Sequence, residues 1–185
     1  MDYITILAIA LGLSFDTFAV SLSYGVVRNE IIFRQATRVA VVFAIFQGGL
    51  TVAGYFLGSL VSDAASGADH WIAFVLLLFL GGKMIIEGIR EKKEEVKDYN
   101  NPLLLCTAAI ATSIDAFAVG VSLAFLQVEI WGAGVLIGFV TFLASMIAIR
   151  IGKSAGERLG NRVEVLGGII LIAIGVKILV EHLFF

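Results

Sequence analysis

Two aspartates draw attention because each lies in the middle of a long apolar run. At roughly 1.5 Å per helical residue, Asp16 lies about 20 Å into the first run and Asp115 about 18 Å into the fourth. A charged aspartate at the centre of a bilayer costs roughly 2.5–3.5 kcal/mol, so each must face a cation, a proton, water or a polar protein interior. The structural alternative is a neutral aspartate that hydrogen-bonds between helices, which Asn or Ser would achieve at lower cost.

Further oxygen-bearing side chains are expected at a similar depth in the neighbouring runs. They are Gln47, Thr51, Thr141, Ser145, Ser23 and Ser122. Carboxylates combined with amide and hydroxyl oxygens form a hard ligand set, which suits Mg²⁺, Ca²⁺ or Mn²⁺ better than zinc or copper. A competing interpretation is that the hydroxyls bond to backbone carbonyls one turn back in their own helices. The aspartate pair is therefore the principal signal for a divalent cation site.

Two Lys/Glu pairs, Lys83 with Glu87 and Lys177 with Glu181, have the i to i+4 spacing of neighbours on one helix face. Such residues can pair locally or extend toward the lipid headgroups. The alternative is that they form an ion or proton path.

The composition shows what kind of protein holds these residues. Of 185 residues, 59% are hydrophobic and only 15% are charged, and the mean hydropathy is +1.00. These values exclude a water-soluble globule. Apolar runs at 3–25, 37–61, 71–89, 103–125, 131–151 and 164–185 predict an all-α, polytopic membrane protein of six transmembrane helices. The net charge of −2 gives no nucleic-acid footprint, and the single Cys106 excludes an intramolecular disulfide.

The links between the runs differ sharply in positive charge. Links one, three and five carry three, four and four Lys or Arg residues, and links two and four carry none. By the positive-inside rule, links one, three and five are cytoplasmic, so both termini lie outside. We expect the charged segment 90–101 to be a solvated linker, with Asn101 and Pro102 starting the fourth helix.

The two halves of the chain resemble each other. SFDTFAVSLS at 14–23 and SIDAFAVGVS at 113–122 share six identities, and GGKMIIEG at 81–88 aligns with GVKILVEH at 175–182. The pattern predicts repeats at 1–89 and 103–185, joined by the linker 90–102 into one membrane domain. Because each repeat has three spans, the second must enter the membrane in the opposite sense, which is typical of secondary transporters. Glycines spaced by four residues, at 54/58, 134/138 and 152/156, are expected to allow close helix packing.

The two aspartate motifs, together with HWIAFVLLLFLGGKMIIEG at 70–88, resemble the bacterial manganese efflux pump family MntP, a branch of the LysE transporter superfamily. The resemblance covers all six predicted helices. It implies an inner-membrane exporter that relieves manganese excess, with Asp16 and Asp115 at the family's two intramembrane aspartates. The chain departs from some members, which have Glu at the position of Gln47 and lack the Lys177/Glu181 pair.

The residues alone predict a small cation transporter, and manganese and its outward direction come from the resemblance. The sequence has no nucleotide-binding motif, so we expect an ion gradient to drive transport, with protons as the counter-ion. One alternative is an intramembrane aspartyl hydrolase, although Phe15 and Ile114 stand where its Gly-Asp motifs need glycine. Another is an exporter of a small amino acid, in which Lys83 or Lys177 would meet the substrate carboxylate. We expect a transporter that is not an enzyme and needs no cofactor.

Overall fold

A computed structural model describes residues 3–27, 31–62, 69–89, 99 and 101–155, and also 169, 172 and 176. The described chain forms helices α1 (Tyr3–Val27), α2 (Phe33–Ser62), α3 (Asp69–Ile89), α4 (Pro102–Phe125) and α5 (Ile130–Ala155). Of these, α1, α2, α4 and α5 are long and apolar enough to cross a membrane. The all-α prediction is confirmed over these residues. Most of the sixth predicted span, including Lys177 and Glu181, lies outside them.

The start of α4 follows the sequence closely. The side chain of Asn101 accepts a hydrogen bond of 3.0 Å from the backbone N–H of Leu103, and Pro102 is the first helical residue. Asn therefore satisfies a donor that the helix end leaves open, and Pro removes another. The prediction that these two residues start the helix is confirmed.

The helices extend beyond their apolar runs, and two of them do so by about a turn. The helix α2 begins at Phe33 instead of 37, and α5 continues to Ala155 instead of 151. The extra turn of α2 contains Arg34, which is exposed, and the extra turn of α5 contains Lys153. Hydropathy marks only the part of a helix that suits hydrocarbon, whereas backbone hydrogen bonding continues beyond it.

The helices pack in an interleaved order. The most extensive contacts join α2 to α4 and α1 to α5, and α2 also packs against α5. The helix α3 packs against α4, and α1 meets α4 only briefly. Each of these contacts joins a helix that precedes the charged linker to one that follows it.

Glycines allow the two main helix pairs to approach closely. A Cβ atom at Gly54 of α2 would collide with the backbone carbonyl of Phe117 in α4, and one at Gly152 of α5 would collide with that of Leu22 in α1. The predicted packing role is confirmed for Gly54, Gly58, Gly134, Gly138 and Gly152, and Gly156 lies outside the described residues.

Two apolar clusters fill the ends of the bundle. One cluster lies near the start of α1 and the α4–α5 turn and includes Ile9, Leu123 and Ile137. The other lies near the end of α1 and the starts of α2 and α4 and includes Tyr24 and Phe43. Polar side chains occupy the level between them. The bundle therefore surrounds a polar layer with apolar packing on both sides.

The sequence predicts a solvated linker at 90–101, but the end of this segment is buried at Tyr99. Tyr99 is only 7% exposed. Its ring centroid lies 5.0 Å from that of Tyr24 and 6.2 Å from that of Phe43. A tyrosine among charged residues can bury its ring when the neighbouring helix ends supply an aromatic surface, and here α1 and α2 supply it.

Candidate functional site

A layer of buried polar side chains crosses the middle of the bundle, drawn from α1, α2, α4 and α5. Its fully or almost fully buried members are Ser14, Thr17, Ser21, Gln47, Thr51, Ser113, Asp115, Thr141 and Ser145. Asp16 borders the layer and is half-buried, with its Oδ1 atom hidden from solvent. The layer therefore contains Asp115 and four of the six neutral residues predicted to accompany the aspartates, and Asp16 lies at its border.

Gln47 connects the two helices that carry the aspartates. Its Nε2 donates a hydrogen bond of 3.0 Å to the backbone carbonyl of Leu13 in α1, and its Oε1 accepts one of 2.9 Å from Ser113 in α4. These partners fix which end of the amide faces which helix. Leu13 is three residues before Asp16, and Ser113 is two residues before Asp115. One amide thus joins the two aspartate-bearing stretches.

Asp115 forms an ion pair with Lys83 of α3. The Lys83 Nζ donates to Asp115 Oδ1 at 2.8 Å, and the two side chains are 37% and 7% exposed respectively. The sequence predicts that Lys83 pairs with Glu87 or extends toward the headgroups, and it does not predict this contact with Asp115. Lys83 reaches the carboxylate because α3 packs against α4, which the spacing within α3 does not reveal. The side chain of Glu87 lies outside the described residues.

The hydroxyl groups divide into two kinds. Thr51 donates to the carbonyl of Gln47 at 2.8 Å, and Ser122 donates to that of Ala118 at 3.1 Å. Both therefore bond to their own helix, as the competing interpretation predicts. Ser145 behaves differently, because its hydroxyl lies 2.6 Å from that of Ser21 in α1. Ser23 is half-buried on α1.

Two threonine hydroxyls in the layer are buried with no hydrogen-bond partner among the described residues. They belong to Thr17 in α1 and Thr141 in α5, and both residues are 0% exposed. Each lies one helical turn before a member of the bonded pair Ser21 and Ser145. An unpaired buried hydroxyl costs about 1–3 kcal/mol. Such a hydroxyl is therefore available to bind an ion or a molecule inside the layer.

Thr141 is among the residues that the sequence predicts for the site, whereas Thr17 is not. Thr17 directly follows Asp16, and its spacing from Ser21 is the same as that of Thr141 from Ser145. That shared i to i+4 spacing was a usable signal, because it places hydroxyls on one face of each helix.

The described residues contain no group of three or more His, Cys, Asp and Glu side chains that could hold a metal. A cation in the layer would therefore rely on the two aspartates with neutral amide, hydroxyl and carbonyl oxygens. Such a set matches hard divalent ions and offers no soft ligand for copper or zinc.

Comparison with known proteins places the sequence in a family. Residues 30–179 match the model of the family described as "putative manganese efflux pump". The chain is 46% identical to the protein of that name from Parabacteroides distasonis, with 100% of both chains covered. It is 43% identical to the one from Klebsiella pneumoniae, covering 98% of each. It is 41% identical to the second such protein of Clostridium botulinum, covering 98% of this chain and 96% of the other. No solved structure matches.

The chain belongs to the manganese efflux pump family, as its aspartate motifs predict. Proteins of this family are named as pumps, so the chain is a transporter and not an intramembrane hydrolase.

Proposed function

We propose that this member of the manganese efflux pump family exports Mn²⁺ from the cytoplasm through the polar layer, with Asp16 and Asp115 as its principal ligands. The observation that carries the proposal is the layer itself, which combines two carboxylates with buried neutral oxygens between two apolar clusters. Buried ionisable groups in a membrane interior are retained for ion pathways far more often than for packing.

The neutral ligands come from the same layer. Thr141 of α5 and Thr17 of α1 have hydroxyls with no hydrogen-bond partner among the described residues, so they can bind a cation without breaking an existing bond. Gln47 can join them once its Oε1 releases Ser113. Thr51, Ser122, Ser145 and Ser23 are weaker candidates, and Glu87, Lys177 and Glu181 stay predictions for the ion or proton path.

The architecture that we propose is a 3+3 inverted repeat of six transmembrane helices, with repeats at 1–89 and 103–185. Matching contacts support it. Gly58 of α2 lies against Val121 of α4, and Gly152 of α5 lies against Leu22 of α1. The sequence alignment of the halves pairs Gly58 with Gly152 and Leu22 with Val121. The α2–α4 contact therefore repeats as the α5–α1 contact, as a pseudo-twofold arrangement requires.

For the driving force, we propose proton entry in exchange for Mn²⁺ across a bacterial inner membrane, with both termini outside. A carboxylate must lose its proton before it can bind a metal ion as an anion, so protons and Mn²⁺ would compete for the site. Reconstituted protein should move Mn²⁺ faster when an imposed gradient drives protons across the membrane in the direction opposite to Mn²⁺. Equal rates with and without the gradient would show that protons are not coupled.

The ligand assignment is tested by Asp16→Asn and Asp115→Asn, each of which keeps the side-chain shape and removes the charge. Each should abolish manganese tolerance in cells and Mn²⁺ uptake into liposomes. The double variant should be little worse, because groups that act as a unit are not additive. The matched control is Glu129→Gln at the exposed α4–α5 turn, which should retain transport. Full transport by either aspartate variant would refute the paired site.

A further inference from the structure

The ion pair between Lys83 and Asp115 suggests how the site is kept neutral before metal arrives. We propose that the Lys83 ammonium acts as a tethered counter-cation in the site, and that an incoming divalent cation must displace it from Asp115. This inference rests on the proposed function, since it concerns the same carboxylate.

The geometry makes the two cations competitors. Lys83 Nζ lies 2.8 Å from Asp115 Oδ1, at a carboxylate side chain that is 7% exposed. A charge-assisted hydrogen bond of this length uses the lone pairs that a metal ligand needs. An ammonium is a compact point charge, so it occupies the same small volume beside the carboxylate as a metal ion would.

Lys83 is the partner that can move. Its side chain is 37% exposed, whereas that of Asp115 is held among buried residues of α4. The long, flexible stem of a lysine allows its ammonium to withdraw from the carboxylate.

A tethered cation would serve both halves of a transport cycle. Without metal, Lys83 neutralises Asp115, so the buried carboxylate does not stand as an isolated charge between the apolar clusters. With metal bound, the displaced ammonium stays nearby and returns as the metal leaves. Binding becomes weaker in this arrangement, and release becomes faster.

The alternative is that Lys83 only positions Asp115 for the metal, and the two roles predict effects of opposite sign. If Lys83 competes, Lys83→Gln should tighten Mn²⁺ binding about tenfold, since a hydrogen bond to a charged group no longer has to be broken. If Lys83 positions the carboxylate, the same variant should weaken binding. Lys83→Arg should remain close to the original protein under the proposal, because it retains the positive charge.

The experiment is Mn²⁺ titration of the purified full-length protein, with free Mn²⁺ measured by electron paramagnetic resonance. Arg38→Gln is the matched control, because it removes one exposed positive charge from α2. Tighter binding by Lys83→Gln alone supports the proposal, and unchanged or weaker binding overturns it. If the original protein binds no Mn²⁺, the proposed function fails as well, which is a distinguishable result.

A second measurement needs no variant and remains decisive if Lys83→Gln does not fold. The amine of Lys83 is labelled with an acylating reagent, with and without Mn²⁺, and quantified by mass spectrometry. Displacement from Asp115 should raise the labelled fraction several-fold, while the lysines of the charged linker do not change. A labelled fraction that stays constant or falls would overturn the proposal.

Discussion

At the scale of single residues, a substitution of Thr141 distinguishes a role in packing from a role in metal binding. Its buried hydroxyl has no hydrogen-bond partner among the described residues, so Thr141→Val should keep the fold and raise the free energy of unfolding by about 1 kcal/mol. Mn²⁺ uptake into liposomes should fall several-fold, because the hydroxyl is lost as a ligand. The control is Thr107→Val, an exposed threonine of α4 whose hydroxyl bonds to Leu103. Equal uptake by both variants would remove Thr141 from the site.

Residues also show how far a sequence can predict a site. Asp16, Asp115 and Gln47 could be predicted because a polar group deep in an apolar run needs a reason to be there. The partner of Asp115 could not be predicted in this way. Spacing rules find neighbours on one helix, and Lys83 lies on another helix whose packing is a tertiary fact. The pairing of Ser21 with Ser145, on α1 and α5, was hidden for the same reason.

At the scale of helices, the close α2–α4 contact gives a sharp stability test. Gly54→Ala would bring a Cβ atom against the backbone of Phe117, which cannot move aside as a side chain can. We expect a loss of about 1–3 kcal/mol, typical of overpacking, measured as a lower melting temperature in detergent. Gly49→Ala is the control on the same helix, because a Cβ atom there meets nothing within 4 Å. An equal melting temperature for the two variants would contradict the close contact.

Helix existence was easier to predict than helix ends. The start of α4 was correct because Asn101 and Pro102 give a local chemical signal that needs no tertiary contact. The predicted start of α2 is four residues too late, because Arg34 interrupts the apolar pattern while the helix already includes it. The burial of Tyr99 depended on surfaces from α1 and α2, so no reading of the linker alone could find it.

At the scale of the whole molecule, the unequal distribution of Lys and Arg predicts orientation. In a Cys106→Ala background, a cysteine at Glu129 on the α4–α5 turn should react with an impermeant thiol reagent added to intact cells. A cysteine at Arg34, near the start of α2, should react only after the membrane is opened. Both original residues are exposed, so access to the reagent is not limited by packing. The opposite labelling pattern would reverse the topology.

The interleaved packing also constrains how the chain is made. Each extensive contact among the described helices joins one helix from before the linker to one from after it. The helices α1, α2 and α3 therefore leave the ribosome and enter the bilayer before their packing partners exist. They remain in the bilayer without these packing partners until α4 and α5 are synthesised. During that interval membrane proteases can cleave them. A fragment of residues 1–98 should be degraded when produced alone and should persist when 99–185 is co-expressed, as pulse-chase labelling would show.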